Sequence, residues 1–182
     1  MKSKEDKIIK LFMNYPNQWH FEDIVKQAKI SRSRLSGWLK KLEKEHIIKK
    51  IKIKGKMPYY IQDIQSANFK NKKRIFALEM LQESGLLNHI VSLKKAKVAI
   101  LFGSFSRYDW YKDSDIDIFI YGEDDEFEQG KYEIKLKREI QVHTAKNRKD
   151  LKKIENLLPY IISGNILKGS IQDLGVDIRA EV

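Results

Sequence analysis

The sequence predicts an α+β protein of two domains, on three observations. Residues 1–65 hold 16 Lys and Arg against 7 acidic residues, whereas residues 66–182 hold 20 against 18. Apolar residues recur at helical spacing up to residue 44, and residues 47–62 then alternate apolar and basic side chains around Gly55-Lys56. Two short apolar runs within residues 97–122 are typical of buried strands. We place the domain boundary near residue 65, where the composition turns polar.

Composition excludes several classes of protein. The chain has 182 residues, no cysteine and a formal net charge of +11. Without cysteine there is neither a disulfide framework nor a thiolate metal site. No apolar run approaches the roughly 20 residues that span a bilayer, and the first residues lack the apolar stretch of a signal peptide. We therefore expect a soluble, cytoplasmic protein that does not contact a membrane.

The first domain is expected to contain three helices and a basic hairpin. Helical patterns cover residues 5–13 and 20–29, and a third helix begins after Ser31, which can cap it. Residues 47–62 then alternate apolar and basic side chains on both sides of Gly55. That alternation predicts a hairpin with one buried face and one lysine-rich face.

This order of elements resembles a winged helix-turn-helix domain, which implies binding to nucleic acid, with double-stranded DNA as the expected partner. The start of the third helix would enter the major groove, and the hairpin lysines would contact phosphates or the minor groove. The expected DNA-binding residues are Ser31, Arg32, Ser33, Arg34, Ser36, Lys49, Lys50, Lys52, Lys54 and Lys56. The alternative is a protein-binding or dimerising module whose lysines form a solvated face.

The second domain opens with a helical pattern over residues 69–93, interrupted at Ser84-Gly85. Its apolar stripe, which includes Ile75, Leu78 and Val91, is expected to face a core. A buried strand over Val98–Phe102 follows and opens into a turn.

That turn has the composition of an anion-binding site. Gly103 permits close approach of the backbone, Ser104 and Ser106 offer hydroxyl groups, and Arg107 offers a guanidinium. No GxxxxGK[ST] motif occurs in the chain, so the turn is not a Walker P-loop.

The next strand carries two carboxylates. Asp115 and Asp117 lie two residues apart and share a face, while Ile116 and Ile118 face the core. Paired carboxylates beside a phosphate-binding turn favour a two-metal Mg²⁺ site for phosphoryl transfer, in which two ions would hold the triphosphate and activate the attacking hydroxyl. A calcium loop would require Gly where Ile118 stands. A plain polar strand face, or carboxylate acid/base hydrolysis, would leave the Gly-Ser turn unexplained.

Gly103-Ser104, ten residues and then Asp115-Ile116-Asp117 resemble the signature of the DNA polymerase beta-like nucleotidyltransferases, closest to the minimal, MNT-type members. The resemblance implies a mixed sheet flanked by helices, and transfer of a nucleoside monophosphate from an NTP, with ATP the first choice. It also implies that Mg²⁺ or Mn²⁺ binds Asp115 and Asp117, and that Gly103, Ser104 and Arg107 bind the triphosphate. Acceptors in such families include a partner protein of a toxin-antitoxin pair, tRNA ends and antibiotics.

The chain departs from the family pattern at the third carboxylate. On the expected strand over residues 138–144, the position flanked by apolar residues holds Gln141, and Glu139 is the substitute acid we predict for catalysis. His143, on the same face, is a second candidate base, and the alternative is that it is an ordinary strand residue. The rival hypothesis is a DNA-binding regulator whose second domain binds nucleotide or a partner protein without chemistry. If Glu139 lies away from Asp115 and Asp117, that rival gains support.

Overall fold

The computed structural model describes residues 4–175, which form two compact units. The first unit runs to Ile75 and also includes Trp110–Lys112; the second contains the remaining described residues. The units divide after Ile75, inside the helix Ala67–Ser84, which starts close to the predicted domain boundary near residue 65. That boundary stays a prediction. The mixed α+β class that the sequence predicts is confirmed.

The first unit contains three short helices and a small antiparallel sheet. Its three strands have the order β1-β3-β2, with Ile48 paired to Gln62 and Ile51 to Tyr59. The turn of the hairpin places Gly55 at φ +77°, a conformation that glycine adopts without steric cost. The elements are α1 (Lys4–Asn14), β1 (Trp19–His20), α2 (Phe21–Ala28), α3 (Arg32–Lys44), β2 (Ile48–Ile51), β3 (Tyr59–Gln62) and the start of α4 (Ala67–Ser84).

A buried lysine fixes the segment Trp110–Lys112 within this unit. Lys73 is 1% exposed, and its Nζ lies 5.0 Å from the ring centre of Trp110 and 4.3 Å from that of Tyr111. The backbone N–H of Lys112 donates to the carbonyl of Asn14 at 3.0 Å. Cation–π contacts gain strength when they are shielded from water. Three residues of the chain between Gly103 and Asp115, namely Trp110–Lys112, therefore belong to the first unit.

The second unit is a four-stranded mixed sheet with the order β6-β5-β4-β7. β5 and β6 run parallel, and β4 pairs antiparallel with β5 and with β7. The remaining elements are α5 (Leu86–Ser92), β4 (Ala96–Phe102), α6 (Gly103–Ser106), β5 (Ile116–Gly122), α7 (Gln129–Leu136), β6 (Ile140–Ala145), α8 (Arg148–Lys153), α9 (Leu158–Ile162), β7 (Asn165–Lys168) and a 3-10 helix (Ile171–Leu174).

The two central strands explain the apolar runs of the sequence. Residues 98–101 of β4 and 118–120 of β5 are completely buried. Central strands that are covered on both faces have continuous apolar runs, whereas half-exposed strands alternate. The carboxyl end of β4 and the start of β5 lie side by side, because Phe102 pairs with Asp117.

The predicted break in the helical segment is confirmed, because α4 ends at Ser84, Gly85 has φ +84° and α5 begins at Leu86. The prediction that the apolar stripe faces a core is confirmed for Leu81, Leu86, Ile90 and Leu93, which are buried. It was wrong for Ile75, Leu78 and Val91, which are 51%, 37% and 58% exposed. Apolar residues occur on several sides of these helices, so the pattern alone does not select the side that is covered. Within residues 4–175, every helix is too short or too polar to cross a lipid bilayer.

Candidate functional site

The turn after β4 is a single helical turn, α6, held by its own backbone. Ser106 donates its hydroxyl to the carbonyl of Gly103 at 2.9 Å, and the backbone N–H of Arg107 donates to the carbonyl of Ser104 at 3.2 Å. The Ser104 hydroxyl, in contrast, has no hydrogen-bond partner among the described residues. Of the two predicted hydroxyl groups, that of Ser104 is the one left available to a ligand.

Gly103 is the point at which the turn meets the acidic pair. Its φ is +67°, and a Cβ at this position would lie 2.0 Å from Oδ2 of Asp117 and 2.8 Å from the carboxyl carbon. The carboxylate of Asp117 therefore packs directly against the main chain of the turn. Glycine is required here both by the backbone conformation and by this close approach.

The two aspartates lie at the start of β5. Asp115 immediately precedes the strand and Asp117 is its second residue; both are half-buried, whereas Ile116 between them is fully buried. Neither carboxylate forms a salt bridge within residues 4–175. The structure thus brings Asp115 and Asp117 together beside the Gly103-Ser104 turn.

Burial raises the pKa of the Asp117 carboxyl above its ordinary value. His143 acts in the opposite direction, the negative charge of Asp115 raises this pKa further, and Arg107 lowers it. Two half-buried carboxylates of like charge repel each other unless a cation lies between them. A divalent cation with oxygen ligands fits this pair, with its other ligands supplied by phosphate oxygens and water.

Arg107 pairs with Asp109, a residue outside the predicted site. Its guanidinium Nη2 donates to Oδ2 of Asp109 at 3.0 Å, and its Nε lies 3.3 Å from both oxygens of that carboxylate. Half of the Arg107 side chain is exposed. An exposed ion pair contributes about 0–1 kcal/mol, so Arg107 can readily exchange Asp109 for a phosphate. An acid two residues from an Arg was the available signal in the sequence.

Gln141 occupies the place nearest the two acids on the neighbouring strand. It lies opposite Asp117 in the parallel β5–β6 register, and its Nε2 donates to Oδ2 of Asp115 at 2.7 Å. His143, two residues further along β6, packs its ring edge-on to Phe102 with 5.3 Å between ring centres. The side chains that converge with Asp115 and Asp117 are therefore an amide and an imidazole.

Glu139 does not join the acidic pair. It precedes β6, is exposed, and lines an open pocket together with Glu133, Ile134, Lys137 and Arg138. Its backbone carbonyl, and not its carboxylate, contacts β5: it accepts a hydrogen bond from the N–H of Ile116 at 2.9 Å. Within residues 4–175, no three His, Asp or Glu side chains are grouped so that they could hold a metal ion. The geometry gives no support to Glu139 as the third carboxylate.

The residues predicted to bind DNA lie in the first unit. Ser31, Arg32, Ser33 and Arg34 are exposed at the start of α3, and Ser36 is half-buried. Arg32 pairs with the carboxylate of Glu22 at 3.0 Å. Ser31 stands at the cap position, but its side chain makes no capping hydrogen bond.

The hairpin lysines fall into two groups. Lys49 lies 2.8 Å from the buried carboxylate of Asp63, and Lys50 lies over the ring of Tyr60 at 5.4 Å. Lys52, Lys54 and Lys56 are exposed around the turn. Among the hairpin lysines, those at the tip are therefore the ones most available to a polyanion.

The comparison with known families agrees with this geometry. Residues 85–172 match the family model described as polymerase beta, nucleotidyltransferase. The matched segment contains the Gly103 turn, both aspartates and Gln141, and the match supports a nucleotidyltransferase domain of the polymerase beta superfamily over these residues. The chain has no match among the curated proteins.

We expect Gly103→Ala to destabilise the fold and to weaken binding of any ligand at the turn. The added methyl group would overlap Asp117, and Ala would be held in the left-handed conformation that Gly103 adopts. Together these effects should cost about 2 kcal/mol or more. Urea unfolding followed by circular dichroism measures the effect. Gly130→Ala is the matched control, because nothing lies within 4 Å of its Cβ position. Equal stability of the two variants would contradict the close approach at Gly103.

We expect Asp117→Asn to raise the melting temperature at pH 8. The folded protein binds the Asp117 proton more tightly than the unfolded chain does, so the ionised form destabilises the fold once the pH exceeds the raised pKa. The gain should shrink as the pH is lowered toward the ordinary aspartate pKa of about 3.9. Thermal melts of both proteins across this pH range test the expectation, and a variant that is less stable at pH 8 would refute it.

Proposed function

We propose that this protein is a nucleotidyltransferase that moves a nucleoside monophosphate from an NTP, ATP in the first instance, to a hydroxyl acceptor. One observation carries the proposal: the Asp117 carboxylate packs on Gly103 of a turn whose Ser104 hydroxyl is available. This contact supports a cation-binding role for the pair and a phosphate-binding role for the turn, both of which lie within the segment that matches the nucleotidyltransferase family.

The residues present fit a divalent cation. Asp115 and Asp117 are half-buried, carry like charge and form no salt bridge in the described part of the chain, and burial raises the pKa of Asp117. Mg²⁺ or Mn²⁺ held by these two residues would neutralise the triphosphate and the leaving pyrophosphate.

The chain's own groups would bind and orient the nucleotide. The Ser104 hydroxyl and the α6 backbone would contact phosphate oxygens, and Arg107 would exchange Asp109 for a phosphate. The acceptor oxygen would form a bond to the α-phosphorus while the bond from this phosphorus to the bridging oxygen breaks. Pyrophosphate leaves with that bonding pair, and the proton of the acceptor hydroxyl passes to water.

We propose that the first unit binds DNA and thereby positions the nucleotidyltransferase domain. We assign this first unit as a winged helix-turn-helix that binds double-stranded DNA, with the start of α3 in the major groove. The support is the exposure of Ser31 through Arg34 and of the three lysines at the hairpin tip. These lysines would neutralise phosphates and release counterions.

Gln141 favours a second candidate function. Its amide holds Asp115 at a position where a third carboxylate would otherwise complete the site. In this alternative, the protein is a DNA-binding transcriptional regulator whose second unit binds nucleotide or a partner protein without transfer.

Label transfer separates the two functions. With each α-labelled NTP and Mg²⁺ or Mn²⁺, the native chain should label an acceptor in protein or RNA fractions of a host lysate. Asp115→Asn should lower the transfer at least about 100-fold, because it removes a direct ligand where even outer partners are worth 10- to 100-fold. Asp113→Asn, which changes an exposed neighbour outside the pair, is the matched control and should retain transfer.

The fraction that carries the label would also identify the acceptor, for which we propose a partner protein first. If no nucleotide gives transfer while the native chain is folded and binds DNA, the enzyme hypothesis fails and the regulator replaces it.

DNA binding has its own test. Replacing the three exposed hairpin lysines by Gln should weaken binding and flatten its salt dependence, by a slope of up to about 0.9 for each phosphate that is no longer neutralised. The substituted residues are Lys52, Lys54 and Lys56. The matched control makes the same change of charge in the second unit, at Lys94, Lys149 and Lys152. Equal salt slopes for the two triple variants would show that the hairpin does not bind the phosphates.

A further inference from the structure

The strand beside the two aspartates presents an amide next to Asp115. Gln141 is opposite Asp117 in the β5–β6 register, so its side chain lies on the side of the sheet that carries the pair. Its Nε2 lies 2.7 Å from Oδ2 of Asp115. An ionised carboxylate only accepts hydrogen bonds, so the NH₂ group of the amide must face it. This hydrogen bond therefore fixes the orientation of both side chains.

The same hydrogen bond affects the charge of the site. Gln141 engages one oxygen of Asp115 with a neutral donor, and no third acid joins the pair within residues 4–175. One divalent cation already balances the two carboxylates. A second cation would have to bind without a further anionic side chain, at a place where an oxygen of Asp115 is already hydrogen-bonded. Mg²⁺ and Mn²⁺ are held by carboxylates and phosphates. The two aspartates and the triphosphate would share the first ion, and a second ion would find no further carboxylate of the chain, so this arrangement disfavours it.

We propose that this site holds one divalent cation with its nucleotide rather than two, and that Gln141 is the positioning residue that sets this number. The inference rests on the proposed function, because it takes Asp115 and Asp117 as cation ligands. It refines that function by giving the number of cations: the nucleotide site holds one, and an amide lies beside Asp115.

A single isosteric substitution tests the proposal. Glu has the shape of Gln, so Gln141→Glu would place a third carboxylate within hydrogen-bond distance of Asp115. The added charge should raise the number of cations bound. Without cation, the same charge should lower the melting temperature, because three acids would then share one half-buried site.

The experiment counts Mn²⁺ bound to the full chain by equilibrium dialysis, in the presence of a saturating non-hydrolysable ATP analogue. The native chain should bind about one Mn²⁺ per molecule, and Gln141→Glu about two. Gln141→Met keeps the side-chain length without a charge or an amide, and should remain near one. Glu139→Gln should also remain near one, because the pocket that Glu139 lines does not include Asp115 or Asp117.

The outcomes separate this inference from the proposed function. Two Mn²⁺ on the native chain, or one on Gln141→Glu, would overturn the inference while nucleotide binding at the site stands. A native chain that binds neither Mn²⁺ nor the analogue would overturn both. If Gln141→Glu does not fold, Gln141→Asp supplies the same charge on a shorter side chain, and the count for the native chain still decides the claim.

Discussion

The close approach of the Asp117 carboxylate to the main chain of Gly103 is the constraint on which the site depends. It requires that β4 end at residue 102, that β5 lie beside it with Phe102 opposite Asp117, and that residue 103 have no side chain. The completely buried β4 and β5 segments fix this register, because a shift by one residue would bring the polar residues that flank the apolar runs into the core. The hydrophobic core therefore positions two charged groups that it does not itself contain.

The same sheet explains how much of the site could be predicted from the sequence. Period-two alternation predicts that Asp115 and Asp117 share a face, and a Gly-Ser after an apolar strand predicts the turn. The residue that meets them from β6 depends on where that strand begins. A strand starting one or two residues earlier would place Glu139 on the same face, but β6 starts at Ile140 and leaves Glu139 exposed outside it.

Interactions between segments that are far apart in sequence could not be predicted either, because they too depend on the tertiary structure and not on a local pattern. The burial of Lys73 among aromatic rings and the bond from Lys112 to Asn14 place Trp110–Lys112 in the first unit. No local pattern marks those residues, which lie between the turn and the acidic pair along the chain. The exposure of Ile75 has the same origin, because periodicity identifies an amphipathic element without specifying what covers it.

The central claim is that Asp115, Asp117 and the Gly103-Ser104 turn form one cation and triphosphate site. A crystal structure with Mn²⁺ and a non-hydrolysable ATP analogue tests it most directly, because Mn²⁺ is located by its anomalous scattering. We expect an anomalous peak about 2 Å from an oxygen of each aspartate, with the triphosphate against the turn. An analogue bound elsewhere, with no peak between Asp115 and Asp117, would contradict it.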